Sequence, residues 1–406
     1  MKILNPKTIV INKENENFVI DKKYKINENK NNKRLEDISE NMIINKNDGI
    51  NEENYENNEI IFKEKNVEIN NLKEKRIKKE DISITEKCIN IFKKMCPKID
   101  EIYEIKEKIG NGSESIVFNI THKKTNKQCA MKLIFIEKNS KRNINEYNIS
   151  NRFRNKNIIT FYGVYEIKKN ELDCIIMEYA KFGNLKDFKE KIIKREKLPE
   201  QILCFLAYQI LNGLSHLHKF KIIHFDLKPQ NIVIDDHLNA KIIDFSTSLD
   251  YSKINSNKIK LPFKGTNFYI APEVIKSKTI NINDLNKIDL YSLGVVLYNL
   301  AFGTYPYKIN RDDSNNYDKI YDKIKNNKLE FDNEGNCYSK YFIDFLNQLL
   351  EKEINKRINI SQALNNYWIN GAQILLDEKE KVNNSNSFLI YLLTDHFINF
   401  DKYLNN

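Results

Sequence analysis

The stretch His224-Phe225-Asp226-Leu227-Lys228-Pro229-Gln230-Asn231 places an acid, an amine and an amide within six residues, and Asp244-Phe245-Ser246 adds a second acid 13 residues after Asn231. Between them, Ile232-Val233-Ile234 and Lys241-Ile242-Ile243-Asp244 read as two short strands joined by a polar turn. A hairpin of that kind would hold three oxygen donors, Asp226, Asn231 and Asp244, at one end of a rigid support. Carboxylate and amide oxygens suit magnesium, which proteins commonly bind through one or two carboxylates together with substrate phosphates. The chemistry served by such a set is phosphoryl transfer. Either acid alone would read as a solvated side chain on an apolar hairpin; it is the joint spacing that argues for a site.

Two kinds of chain must position these groups. Tyr103 to Ile109, Ser115 to Ile120 and Cys129 to Ile136 read as strands, separated by a glycine-containing loop and by the polar turn Lys123 to Lys127. After residue 200 helical spacing dominates, with Ile202, Phe205, Leu206, Gln209-Ile210, Leu214 and Leu217 on one face. A β-rich half followed by a helix-rich half predicts an α+β chain of two lobes with a cleft between them, and binding sites favour such interfaces. In Ile109-Gly110-Asn111-Gly112-Ser113-Glu114-Ser115-Ile116-Val117 the glycines let backbone N–H groups approach phosphate oxygens closely, although two glycines in a turn are also ordinary hairpin chemistry. Lys132, in Ala130-Met131-Lys132-Leu133, has apolar neighbours that point it into the cleft, where an ammonium needs an anionic partner. Glu146 is the only acid between Lys138 and Tyr165, and it shares a helical face with Ile149, Ser150 and Phe153.

In chain order from about Glu101 to Gly371, these motifs resemble the eukaryotic protein kinases. The resemblance implies a two-lobed kinase-like fold that uses ATP and Mg2+. It makes Asp226 the base that accepts the substrate hydroxyl proton, Lys228 the cation on the transferring group, and Asn231 and Asp244 the magnesium ligands. Lys132 would contact the α and β phosphates, oriented by Glu146. Ile109, Gly110, Gly112, Val117 and Ala130 would enclose the nucleotide, with the backbones of Glu178 and Ala180 on adenine and Met177 limiting the depth of the pocket. Lys264 to Glu273 resembles the end of an activation segment, with Glu273 buried against Arg357 as structural support and Asp289 anchoring the catalytic-loop backbone. Lys228 and Thr266, in a Gly-Thr-x-x-Tyr pattern, resemble the serine/threonine-directed type, so the implied partners are proteins with Ser or Thr hydroxyls.

Four residues depart from the family pattern: Ser115 at the third glycine position, Ser150 where a larger apolar residue is common, Phe225 in place of an arginine, and Ser246 in place of a glycine. Ser150 leaves room for an activating or docking partner. Phe225 removes the usual receiver of an activation-loop phosphate. Together the four motivate a rival reading, a pseudokinase that scaffolds partners. A lipid or small-molecule kinase fits less well, because Gly265 to Glu273 resembles a peptide-binding platform.

The 406 residues divide into an Asn/Lys-rich extension over 1–98, expected to be disordered apart from a short helix at Ile82 to Met95, a catalytic domain over 99–371 (lobes 99–177 and 181–371), and a tail over 372–406 with a helix from Phe388 to Tyr403 packed on the larger lobe. The net charge of +10 comes from lysine spread along the chain, with no arginine-rich block, so no nucleic-acid partner is expected. The longest apolar run, Phe388 to Leu393, is too short to cross a bilayer, and neither a signal peptide nor an acylation glycine follows Met1, so no membrane association and a cytoplasmic or nuclear location are expected. Six scattered cysteines form no CxxC pair and read as reduced packing residues.

Overall fold

The computed structural model describes residues 9–10, 97–111, 115–135, 149, 152, 154–167, 172–195, 197–313, 316–331, 338–382 and 385–393. Gly112, Glu146, Ser150, the Ile82 to Met95 helix and, but for residues 9–10 and 97–98, the rest of the expected extension lie outside them. The first lobe is an antiparallel run in the order β5-β6-β4-β3-β2: β2 is Tyr103–Asn111, β3 Ser115–His122, β4 Gln128–Phe135, β5 Phe161–Ile167 and β6 Leu172–Glu178. A two-residue strand β1, Ile9–Val10, pairs in parallel with β5 at Ile9↔Tyr165.

Register explains what this sheet presents. Val117 of β3 lies opposite Lys132 of β4, Lys132 opposite Ile175 of β6, and Ala130 opposite Met177. Cross-strand partners share a face, as do residues two apart along a strand. Val117, Ala130, Lys132, Ile175 and Met177 therefore form one surface, apolar but for a single ammonium.

The second lobe is helical. The 20-residue helix Glu200–Lys219 begins after Pro199 and buries the expected face: Ile202, Phe205, Leu206, Gln209, Ile210, Leu214 and Leu217. Gly213 on this helix brings it against the segment before β5, since a Cβ there would stand 2.8 Å from the Asn157 carbonyl oxygen. Asn157 is itself buried and donates to the Ala240 carbonyl at 2.9 Å and to Gln209 Oε1 at 3.3 Å. The helix Asn286–Phe302 is buried on nearly every side, as expected of a helix apolar all round, and ends at Gly303 in the left-handed region, φ 74°.

The central hairpin is shorter than its sequence suggests. Ile232–Ile234 pairs with Ala240–Ile242, and Ile243 and Asp244 run beyond the ladder. Asp244 adopts φ 64°, which strand geometry forbids. Helix Tyr367–Lys381 runs through the expected boundary at Gly371, and a last helix covers Ser385–Leu393; the expected stretch from there to Tyr403 lies outside the described residues. It packs on the larger lobe as expected, with the Phe388 ring edge-on to Phe205 at 5.3 Å. Cys129, Cys174 and Cys204 are buried and outside any disulfide among the described residues. Among the described residues no helix is long and apolar enough to cross a membrane.

Candidate active site

The loop that carries Asp226 is held by its backbone. Asp289, fully buried on the Asn286–Phe302 helix, accepts from the amides of His224 and Phe225, each at 3.0 Å, and from His218 Nε2 at 2.8 Å. Burial alone would raise the Asp289 pKa; the bonds from His218 and from the His224 amide hold it below the ordinary carboxylate value. The His224 ring then spans two segments. Its Nε2 lies 2.9 Å from the Ile243 carbonyl, which can only accept, and its Nδ1 accepts from the Asp226 amide at 3.3 Å. Those partners fix the Nε2–H tautomer. One imidazole thus ties the loop before Asp226 to the chain before Asp244.

Asp226 stands at the centre of a closed polar group. Its Oδ1 accepts from the Thr266 hydroxyl at 2.6 Å, and its Oδ2 lies 2.8 Å from Lys228 Nζ and 3.0 Å from Asn231 Nδ2. Lys228 also donates to Thr266 Oγ1 at 2.7 Å. Asn231 Nδ2 donates again to the Asp226 carbonyl at 2.8 Å, which orients the amide and leaves its carbonyl oxygen turned away from Asp226. Asp226 is 9% exposed and Asn231 5%, so these bonds sit in a medium that strengthens them.

Across the group, Lys132 Nζ is 3.5 Å from Asp244 Oδ1. The structure therefore brings the ammonium of the sheet face to the second acid. Burial would raise the Asp244 pKa, but the Lys132 charge and the Ser246 hydroxyl bond hold it below its ordinary value, so the carboxylate is ionised at neutral pH. The left-handed backbone falls on Asp244 itself. Ser246 is not among the positive-φ residues, so replacing glycine there carries no such strain.

Of the residues expected to enclose a nucleotide, Gly110 pairs with Val117 at the end of the β2–β3 hairpin, Ile109 is exposed, and Ala130 and Met177 are buried on the Lys132 face. The Glu178 side chain turns away: its Oε1 is 3.1 Å from Lys241 Nζ and its Oε2 accepts from the Thr160 amide at 3.2 Å. Only its backbone is left for the cleft. Ala180 follows β6 in the connector, its carbonyl accepting from Gly183 at 3.1 Å.

The supports foreseen from sequence are present. Glu273 and Arg357, 2% and 1% exposed, form a two-armed pair at 2.7 and 3.0 Å, and Arg357 donates further to the carbonyls of Lys287 and Glu351. Three contributors were missed. His218 lies in a helical pattern that reads simply as a helix end. The bond of Thr266 to Asp226 joins residues 40 apart, which no local pattern encodes. The third is Arg152, paired with Asp250 of the segment after Asp244. Burial would raise the Asp250 pKa, yet the Ser252 bonds and Arg152 hold it below 3.8.

Phe225, at the position of the family's arginine, is buried and adopts φ 67°. Its carbonyl faces Gly265, where a Cβ would come within 2.6 Å and where φ is +112°. Gly265→Ala is expected to destabilise the chain by about 1–3 kcal/mol and to disturb Thr266 next to it. A lowered thermal midpoint relative to the wild type checks this.

A family model described as the protein kinase domain matches residues 103–369. Death-associated protein kinase 2 of Mus musculus is 31% identical over 309 residues, covering 72% of this chain and 78% of that protein. Myosin light chain kinase A of Dictyostelium discoideum is 29% identical over 297 residues, 71% of this chain and 91% of that one. Serine/threonine-protein kinase D3 of Mus musculus is 30% identical over 295 residues, 70% of this chain, which spans only 31% of that relative's length. With the domain model covering most of its length and its catalytic-loop groups assembled around Asp226, the chain belongs to the eukaryotic serine/threonine protein kinase family.

Proposed function

We propose that the chain transfers the γ-phosphoryl group of ATP to serine or threonine hydroxyls of proteins. The observation that carries this reading is the bonded group Asp226–Lys228–Asn231–Thr266 together with the Lys132–Asp244 pair, the two segments being tied by the Ile243 amide on the Asn231 carbonyl at 3.0 Å. Asp226 Oδ1 has one donor, Thr266, and so keeps a lone pair for a substrate hydroxyl, whose proton it would receive as that oxygen attacks phosphorus. Lys228 already sits against both Asp226 and Thr266, where it can neutralise charge on the transferring group. Lys132, on the apolar sheet face, would contact the remaining phosphates. Val117 and Ala130 flank it for the base.

The donor chemistry fits a magnesium ion. Asp244 is ionised and the Asn231 amide is oriented by its Nδ2 bonds with its oxygen outward, two hard oxygen ligands of the kind Mg2+ accepts beside phosphates. When bound, the ion would neutralise phosphate charge as transfer proceeds.

The pseudokinase alternative draws on Ser246, whose hydroxyl already bonds Asp244. Titration with ATP and Mg2+ decides between them together with turnover. Binding with transfer to Ser or Thr supports the enzyme, and binding without transfer supports the scaffold.

Phe225 offers no cation to a phosphorylated segment, while Arg152 holds the segment through Asp250. Phosphatase treatment is therefore expected to leave turnover unchanged; abolition would contradict the reading. The Asp250 bond has its own pH signature. A folded pKa below the ordinary one means its stabilisation is present above pH 3.8 and lost as pH falls through the folded value. The pair is partly exposed, so Asp250→Asn is expected to cost no more than about 1 kcal/mol at neutral pH. Denaturant unfolding of wild type and variant should converge on acidification below that value.

A further inference from the structure

We propose that the exposed lysine face of a short hairpin in the segment after Asp244 docks an acidic stretch of the protein substrate, within about six residues of the hydroxyl that receives phosphate. The inference rests on the transfer reading above and adds a substrate class to it.

The hairpin pairs Lys258–Lys260 antiparallel with Thr279–Asn281, with Lys258 opposite Asn281, Ile259 opposite Ile280 and Lys260 opposite Thr279. The Ile282 amide on the Asn257 carbonyl at 2.9 Å and the Leu261 amide on the Lys278 carbonyl at 3.0 Å carry the pairing one step further at each end. Alternation then sorts the side chains. Ile280 and Leu261 are buried and Ile259 packs against the core beside them. Lys258, Lys260, Thr279 and Asn281 share the opposite face, and all four are exposed. Two ammonium groups are thereby held on one face of a backbone that the ladder fixes.

Charge around the hairpin has one sign. From Tyr251 to Asn283 the chain holds six lysines and a single acid, Glu273, whereas the whole chain has 56 acids to 66 lysines and arginines. Glu273 is buried against Arg357 and offers nothing outward. Lys276 is taken up by Asp318 of the helix Tyr317–Asn326 at 2.8 Å. Lys253, Lys258, Lys260 and Lys278 stay exposed, and the half-buried Lys264 donates to the Thr247 carbonyl at 3.4 Å. One exposed ion pair contributes little, so this face selects for several carboxylates in a row and disfavours a basic stretch.

The hairpin leads directly to the site. Lys260 lies six residues before Thr266, whose hydroxyl bonds Asp226 Oδ1 at 2.6 Å. Six residues of chain reach at most about 20–22 Å, and an extended substrate covers the same span with the same number of residues. Carboxylates up to that far from the phosphoacceptor can meet the lysines.

The test uses the full chain with Mg2+ and a non-hydrolysable ATP analogue, and reads peptide binding by fluorescence anisotropy. The peptides share a central Ser in a neutral background and carry a run of Asp on its N-terminal side, a run of Asp on its C-terminal side, a run of Lys, or no charge. At least one Asp peptide is expected to bind about tenfold or more tighter than the neutral one. Lys258→Gln with Lys260→Gln should weaken that peptide about 3- to 30-fold. Lys124→Gln with Lys340→Gln, which removes the same charge from two exposed positions elsewhere, should leave its affinity unchanged. Lys258→Glu with Lys260→Glu should improve binding of the Lys peptide. Retained binding of the ATP analogue shows that each variant is folded. Equal affinity of the wild type for Asp and neutral peptides, equal losses in the two Gln pairs, or tighter binding of a single-stranded oligodeoxynucleotide of equal charge would overturn the proposal. The same peptides with ATP report transfer. An Asp peptide that binds in the expected pattern but takes no phosphate supports the docking face and counts against the transfer reading.

Discussion

Asp226→Asn is expected to lower kcat by about 100- to 10,000-fold, the span associated with a positioned general base. The side chains have the same shape, so the loss would not come from packing. The Asn side chain still offers an oxygen to a hydroxyl or amide donor, and the backbone of the loop stays pinned by Asp289 through His224 and Phe225. What disappears is the negative charge 2.8 Å from Lys228 and the basic lone pair beside Thr266. The KM for ATP should change little, because Asp226 touches the substrate hydroxyl and not the nucleotide in this account. Steady-state kinetics on one Ser-containing peptide checks it. A kcat within a few-fold of wild type, with the variant folded, would contradict the assignment.

Arg357→Met carries the largest expected loss of stability. The guanidinium makes two bonds to Glu273, two more to backbone carbonyls, and stacks with its carbon 4.8 Å from the Tyr291 ring centre. Removing it strands a buried carboxylate, and breaking one side of such a pair typically costs about 3–5 kcal/mol. For a domain of this size that is a drop of about 6–20 °C in the thermal midpoint. Arg357→Met combined with Glu273→Leu should recover much of the loss, because two apolar side chains leave no unpaired charge. Calorimetry of the wild type and both variants separates the cases. A double variant no better than the single would show that the backbone bonds of Arg357, and not the stranded acid, set the cost.

Sequence patterns revealed the parts of the site that local chemistry encodes. Apolar neighbours turned Lys132 inward in the sequence, and the register with Val117, Ile175 and Met177, which no sequence pattern gave, builds the face it shares. Helical spacing picked out one buried face of Glu200–Lys219, although the helix also buries Leu203, Cys204, Ala207 and Leu211 outside that face. The spacing around Asp226 and Asp244 singled out side chains that the structure joins, Lys228 and Asn231 on Asp226, whereas the contact of Lys132 with Asp244 was not foreseen. What escaped were links between distant segments with no periodic signature: Thr266 to Asp226, His218 to Asp289, and Arg152 to Asp250. Backbone conformation was hidden for a related reason. The left-handed angles at Phe225 and Asp244 belong to residues that rarely adopt them, and tertiary bonds to Asp289 and Lys132 hold the surrounding chain in place. The expected strand ending at Asp244 failed because β-branched residues favour a ladder that the His224–Ile243 bond and this turn interrupt.

The most direct measurement of the central claim is mass spectrometry of a mixed peptide library incubated with the purified chain, Mg2+ and ATP labelled with 18O at its γ-phosphoryl oxygens. The account predicts labelled phosphate on Ser and Thr with wild type, and none above background with Asp226→Asn or Lys132→Met. Labelled phosphate at equal levels in all three samples, or its absence from wild type that binds ATP, would contradict it.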